Sequence, residues 1–128
     1  MPFDSPCQMP FGDIELLLDA RSRISDRKFW GRHRFQDGDR LCLIAALSLA
    51  CGSRSFDMPN LMEKRLARLI AEQIPPHAPF MTRCKLIPAR KRLISLNDGP
   101  RTRHEDVMAL FDRTIDHLAS TAPIRLPA

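Results

Sequence analysis

The chain has no tyrosine and only five glycines, which removes the aromatic-rich, turn-dense composition of an all-β sandwich or barrel. Its four cysteines, Cys7, Cys42, Cys51 and Cys84, include no Cys-x-x-Cys pair and no histidine at zinc-finger spacing. The usual structural zinc signature is therefore missing, and neither a metal nor a cofactor is expected. The opening residues, "MPFDSPCQMPFGD", lack a basic leader, and their apolar stretch is too broken for a signal peptide. The thiols are accordingly expected to stay reduced in a cytoplasm. No long apolar run occurs either: the longest, Leu41 to Cys51, is roughly half of the ~20 residues that a bilayer span requires, so no membrane association is expected.

What is present is ordinary globular material. With 128 residues, 44% hydrophobic and 27% charged, the chain is large enough to bury one core unaided and too apolar for wholesale disorder. The apolar spacing predicts an all-α, single compact domain over residues 12–119. It comprises four or five helices packed around a central apolar helix at about residues 40–51, with flexible tails at 1–11 and 120–128. Asp13 reads as the N-cap of a first helix that places Ile14, Leu17, Leu18 and the stem of Arg21 on one stripe and ends near Asp26. Asp39 reads as the N-cap of "RLCLIAALSLAC", apolar on every side and stopped by Gly52, and such a helix belongs at the centre. Asp57 and Pro59 open a third helix with Leu61, Met62, Leu66, Leu69, Ile70 and Ile74 on its apolar face, ended by Pro75-Pro76. Residues 77–86 read as irregular connection, and 88–96 as helix in preference to strand. "NDGP" is turn chemistry, and Thr102 with Glu105 forms a capping box for a last helix from Arg103 to about Ala119. Its buried face carries Val107, Leu110, Phe111, Thr114 and Leu118.

Charge is unevenly spread. Between Arg83 and Arg103 seven Lys/Arg stand against one acid, Asp98, and between Arg21 and Arg40 seven more stand against Asp26, Asp37 and Asp39. On one face, these stretches would attract an anionic partner. The segment "RKFWGRHRF" also interleaves cations with Phe29, Trp30 and Phe35, the mixture used to hold single-stranded nucleic acid, although no helix-turn-helix, zinc-finger or RRM motif accompanies it. The candidate binding residues are Trp30, Arg32, Arg34, Arg90, Lys91, Arg92, Arg101 and Arg103.

A thiol-dependent hydrolase would need Cys42, in the first turn of its helix, together with His104 and Asp98 or Asn97. The same residues have a structural reading. Cys42 lies in an apolar helix as a small hydrophobe, Asn97 and Asp98 shape a turn, and His104 shares a helix face with Phe111 and Leu118.

"LNDGPRTRHEDVMALFDRTIDHL" resembles the C-terminal signature of a bacterial family of domains of unknown function, W-N-D-x-P-x-x-T-H-x-E-V-L-x-L-L-D-R-A-I. "FWGRHRFQDGDRLCLIAALSLACG" is similar to that family's second block: Trp, then Gly, a polar turn, and a helix beginning C-A-L-G-A-L. The likeness covers about Asp13 to Leu118 and puts Trp30, Cys42, Asn97, Asp98, His104, Glu105, Val107, Leu110 and Asp112 at recurring positions. The chain departs from the pattern at Leu96 (aromatic in the family) and Ala45 (glycine), and carries one additional residue, Arg103. The resemblance implies a small helical domain and transfers no activity. The function expected first is a binding or accessory module with a protein partner, then a basic-surface nucleic-acid-binding protein, then a hydrolase using Cys42 and His104.

Overall fold

Six α-helices and one short β-hairpin make up the described part of the chain, residues 9–121, in the computed structural model. In order these are α1 (Met9–Arg23), a 3-10 turn (Arg27–Phe29), β1 (Gln36–Asp37), β2 (Arg40–Leu41), α2 (Leu43–Cys51), α3 (Leu61–Ala71), α4 (Phe80–Arg83), α5 (Ala89–Asp98) and α6 (His104–Thr121). The architecture is all-α, as the sequence predicts. The helical reading of 88–96 is borne out by α5, and residues 77–86 contain the single turn α4. Most of the two expected tails, 1–8 and 122–128, lies outside the described residues.

At the centre is α2. Leu43 to Ser48 are all buried, and α1, α3 and α5 pack around them. A side chain such as Leu47, with no exposure, stabilises the fold by about 2 kcal/mol through its burial. The helix begins later than expected. Asp39 is not its cap; it is the second residue of the two-residue loop joining β1 to β2, in a register that pairs Asp37 with Arg40. Gly38 takes φ 62° at the first loop position, the positive φ that a primed hairpin turn requires there. The true N-cap is Cys42, whose Sγ accepts a hydrogen bond from the Ala45 amide at 3.3 Å. At the other end Gly52, at φ 70°, and Ser53 close the helix with amide bonds to Leu49 and Ser48 carbonyls, which only a left-handed residue permits cheaply.

The third helix is also displaced. Asn60, not Asp57, is its N-cap, accepting from the Glu63 amide at 2.8 Å while its Nδ2 donates to the Cys51 carbonyl. One amide side chain thus caps the start of α3 and the end of α2. The buried stripe is Glu63, Leu66, Ala67, Ile70 and Ala71, a helical i, i+3, i+4 series. Leu61 lies off it and is 83% exposed. Glu63, although wholly buried, is paired with Arg90 at 3.1 Å and accepts from Ser53 Oγ. In α1, Asp13 is mid-helix rather than a cap, buried against Arg65 at 2.8 Å. Leu17, Ala20 and Ile24 face the core and Leu18 faces outward. All five residues expected on the buried face of α6 are there. Its start is shifted by one: the Arg103 amide donates to Asp106 at 2.8 Å, and Glu105 is exposed. No helix among the described residues is long and apolar enough to cross a membrane.

Candidate functional site

The "NDGP" segment does not act mainly as a turn. Asn97 and Asp98 are the last residues of α5, and Asn97 is fully buried with every hydrogen-bonding group engaged. Its Oδ1 accepts from the Trp30 indole at 2.7 Å and from the Leu43 amide at 3.1 Å. Its Nδ2 donates to the Gly31 carbonyl at 2.9 Å and to Asp98 Oδ1 at 3.2 Å. Two acceptor bonds and two donor bonds exhaust what a carboxamide offers. The Leu43 amide is one of the partnerless donors at the start of α2, so one side chain ties α5, the central helix and the 26–42 loop together. Asp98 Oδ1 also accepts from the His33 amide at 2.7 Å. That contact fixes His33 at φ 70°, a conformation costing about 1 kcal/mol in a residue with a Cβ. The turn itself begins at Gly99, where a Cβ would lie 2.8 Å from Thr102 Oγ1.

His104 is tied down on the other side of Trp30. Its Nε2 lies 2.7 Å from the Ile24 carbonyl, just beyond the end of α1, so that nitrogen carries the proton. The imidazole and indole rings tilt against each other at 5.8 Å. Cys42 is 4% exposed. Burial pushes its thiol pKa up, as does the nearby Asp98 carboxylate, against a downward pull from the Ala45 and Ile44 amides. The helix N-terminus is thus overridden by desolvation, and the thiol stays protonated. Cys42 and Asp98 stand close enough to interact electrostatically, but no hydrogen bond joins Cys42 to His104 among the described residues. A second thiol, Cys51, is pushed up to about 12 by burial and by the carboxylates of Glu63, Asp13 and Asp19. Among the described residues no group of three or more His, Cys, Asp or Glu side chains could hold a metal ion.

The basic residues divide sharply. Arg90 pairs with Glu63, donates to the Phe56 carbonyl and covers the Phe35 ring at 5.3 Å. Arg92 is buried, donating to the Thr82 carbonyl at 2.9 Å and reaching that of Ala71. Arg103 pairs with Glu105 and Asp106, while Lys91 and Arg101 are exposed. The earlier stretch differs: Arg27, Lys28, Arg32 and Arg40, with Asp26, Trp30 and Gly31, line an open cleft of about 810 Å³. Arg32 is held over the indole of Trp30 at 5.1 Å and donates through Nη2 to the Thr102 carbonyl. Its Nε is buried and has no hydrogen-bond partner among the described residues. Arg34, two residues on, is exposed.

Arg40 reaches the cleft because Leu41 accepts from the Gly31 amide at 3.0 Å while pairing with β1. Arg27 and Lys28 open the segment "RKFWGRHRF" and Arg40 ends the first basic stretch, yet none of the three is among the candidate binding residues read from the sequence. Their signal was position in the Trp30 linker, with a two-residue hairpin that returns Arg40 to it.

The fold and the Trp30–Asn97–His104 arrangement fall within residues 11–117, which match a family of unknown function, DUF6197. The chain belongs to that family. The DUF6197 match runs from α1 into α6, close to the span over which the sequence resemblance extends, and includes both the Asn97 contacts and the cleft. No curated protein and no solved structure matches the chain.

Proposed function

We propose that this DUF6197 protein is a binding or accessory module of a bacterial cytoplasm that takes a negatively charged partner in the cleft beside Trp30. One observation carries the reading: four cations and a single acid line an open recess, and Arg27, Arg32 and Arg40 form no ion pair among the described residues. Several arginines elsewhere are taken up by the protein's own carboxylates, as at Arg21 with Asp112, Arg65 with Asp13 and Arg90 with Glu63. Three arginines without ion pairs, outnumbering the single Asp26 that pairs with Lys28 at 4.0 Å, raise the local potential and favour an anion.

The hydrolase reading finds no support in the geometry. Its nucleophile is buried with a raised pKa, and the proton-bearing nitrogen of its histidine faces a backbone carbonyl. Among the described residues Cys42, Cys51 and Cys84 are free thiols, in keeping with a reducing compartment.

Trp30 is the sole tryptophan and forms the cleft floor, so its fluorescence reports occupancy directly. Titration with oligoglutamate and with an oligonucleotide at low salt should change that signal for at least one probe, and raising salt should reverse it. The double charge reversal Arg27→Glu, Arg40→Glu should abolish the response while leaving the thermal melt unchanged. A flat signal with both probes at low salt would remove the reading.

A further inference from the structure

The geometry points beyond a generic anion: resting on the cleft reading above, we infer that the occupant is an Asp/Glu-bearing segment of a protein partner, with Arg32 as the residue that reads its carboxylate. Nucleic acid, the other polyanion class, gains much of its sequence-tolerant affinity for single-strand binders by stacking bases on exposed aromatic faces. In this linker those faces are covered. Arg32 lies over Trp30, whose other contacts are the His104 ring and Asn97. Lys28 lies over Phe29 at 5.0 Å. Phe35 is held between Arg90 and the Phe56 ring, at 5.3 and 5.5 Å. The interleaving that suggests base stacking in sequence is a set of cation–π contacts within the protein.

Charge placement points the same way. A phosphodiester chain carries a negative charge at every nucleotide, and acids punctuate this surface: Asp26 lines the cleft, and Asp37 and Asp39 are exposed on the hairpin that delivers Arg40. A peptide can set a carboxylate against Arg32 and neutral residues against Asp26. The second basic stretch continues the row only weakly: Arg90 and Arg92 turn inward and Arg103 is paired, which leaves Lys91 and Arg101 exposed.

Arg32 is built for reading a single oxyanion rather than for diffuse attraction. The indole face and the Thr102 carbonyl fix its guanidinium, so little side-chain freedom remains to be lost when a carboxylate binds its Nη1/Nη2 edge, the Nε being buried. The Asp98–His33 contact holds the backbone at the next residue. Asp98 and Thr102 are therefore positioning residues for Arg32.

The test compares an alternating glutamate–alanine peptide with an oligothymidylate of equal net charge, read by Trp30 fluorescence at matched salt in the wild type, Arg32→Lys and Arg40→Ala. The expected result is tighter binding of the peptide, weakened at least about tenfold by Arg32→Lys, which keeps the charge and loses the fork, and only about threefold by Arg40→Ala. Tighter binding of the oligothymidylate, or equal losses in the two variants, overturns the inference and leaves the cleft reading standing. A response to neither probe ends both. Should Arg32→Lys lower the thermal midpoint, the unaltered protein decides: the Arg32 Nη–H resonances must shift on peptide addition, and fixed resonances overturn the assignment.

Discussion

Two neighbouring regions use polar side chains in opposite ways. Around Asn97 every donor and acceptor of the carboxamide has a partner and water is excluded. In the cleft beside Trp30, Arg27, Arg32 and Arg40 line an open recess and form no ion pair among the described residues. The residues that look most like chemistry in the sequence, Asn97, Asp98, His104 and Cys42, are engaged in holding three helices and a loop in place. The arginines beside them are unremarkable one by one, and they are what the fold leaves available. Chemical suggestiveness of a residue type is thus a poor guide where its valences are already filled; an unfilled, positioned charge is the better one.

The comparison breaks most directly at Asn97. Asn97→Ala strands the Trp30 indole N–H, the Leu43 amide and the Gly31 carbonyl, each worth about 1–3 kcal/mol when left buried and unpaired. A loss of about 4 kcal/mol in urea unfolding is expected, with the Trp30 emission shifting as its environment loosens. A loss below about 1 kcal/mol would mean that the Asn97 contacts hold nothing together.

Two arginines sharpen the contrast from either side. Arg90→Ala leaves the carboxylate of Glu63 buried and unpaired and should cost about 3 kcal/mol, with no change in the response of Trp30 to anionic probes. Arg40→Ala should do the reverse: stability within about 0.5 kcal/mol of the wild type, and weaker probe binding. If the two variants behave alike, the division between inward and outward cations is wrong.

Legibility in the sequence follows the range of the interaction involved. The α6 face is set by local periodicity and is readable from it, as is the left-handed close of α2 at Gly52, whereas the apolar spacing of 88–96 suits a short strand as well as the helix α5 that forms. The starts of α2 and α3 were misplaced because the capping was assigned to the nearest upstream aspartate, whereas Asp39 belongs to a hairpin and Asp57 to the preceding loop. Cys42 and Asn60 cap instead, and Asn60 does so while also closing a helix nine residues earlier. The role of Asn97 could not be read at all, since its partners lie 54 to 67 residues away. The burial of Glu63 and Arg92 was hidden for the same reason: charge in a sequence says solvent until a tertiary partner says otherwise.

The thiols test the idle side of the comparison. Cys42→Ala removes the side-chain acceptor at the α2 N-cap and should cost about 1 kcal/mol. In the native protein a thiolate-specific disulfide reagent at neutral pH should leave Cys42 and Cys51 unmodified until denaturant is added, because Cys42 is buried, Cys51 half-buried, and both hold their protons. Rapid native-state modification of Cys42 would restore the case for a nucleophile.

The smallest expected effect concerns Asp13, the buried acid of α1. Burial raises its carboxyl pKa above the ordinary 3.8, and Arg65 at 2.8 Å only partly offsets this. Because the folded state holds this proton more tightly than the unfolded chain, Asp13 favours folding most when protonated. That contribution is fully present below the unfolded pKa and declines as pH rises through the folded value. Asp13 Oδ1 also lacks a hydrogen-bond partner, so the ionised group is incompletely compensated. Asp13→Asn keeps the shape and removes the titration. The stability of the wild type relative to this variant, followed by urea unfolding from acid to neutral pH, should therefore decline immediately above the unfolded carboxyl pKa. A wild-type profile that instead rises more steeply than the variant's through that window would mean that Arg65, not desolvation, governs this carboxylate.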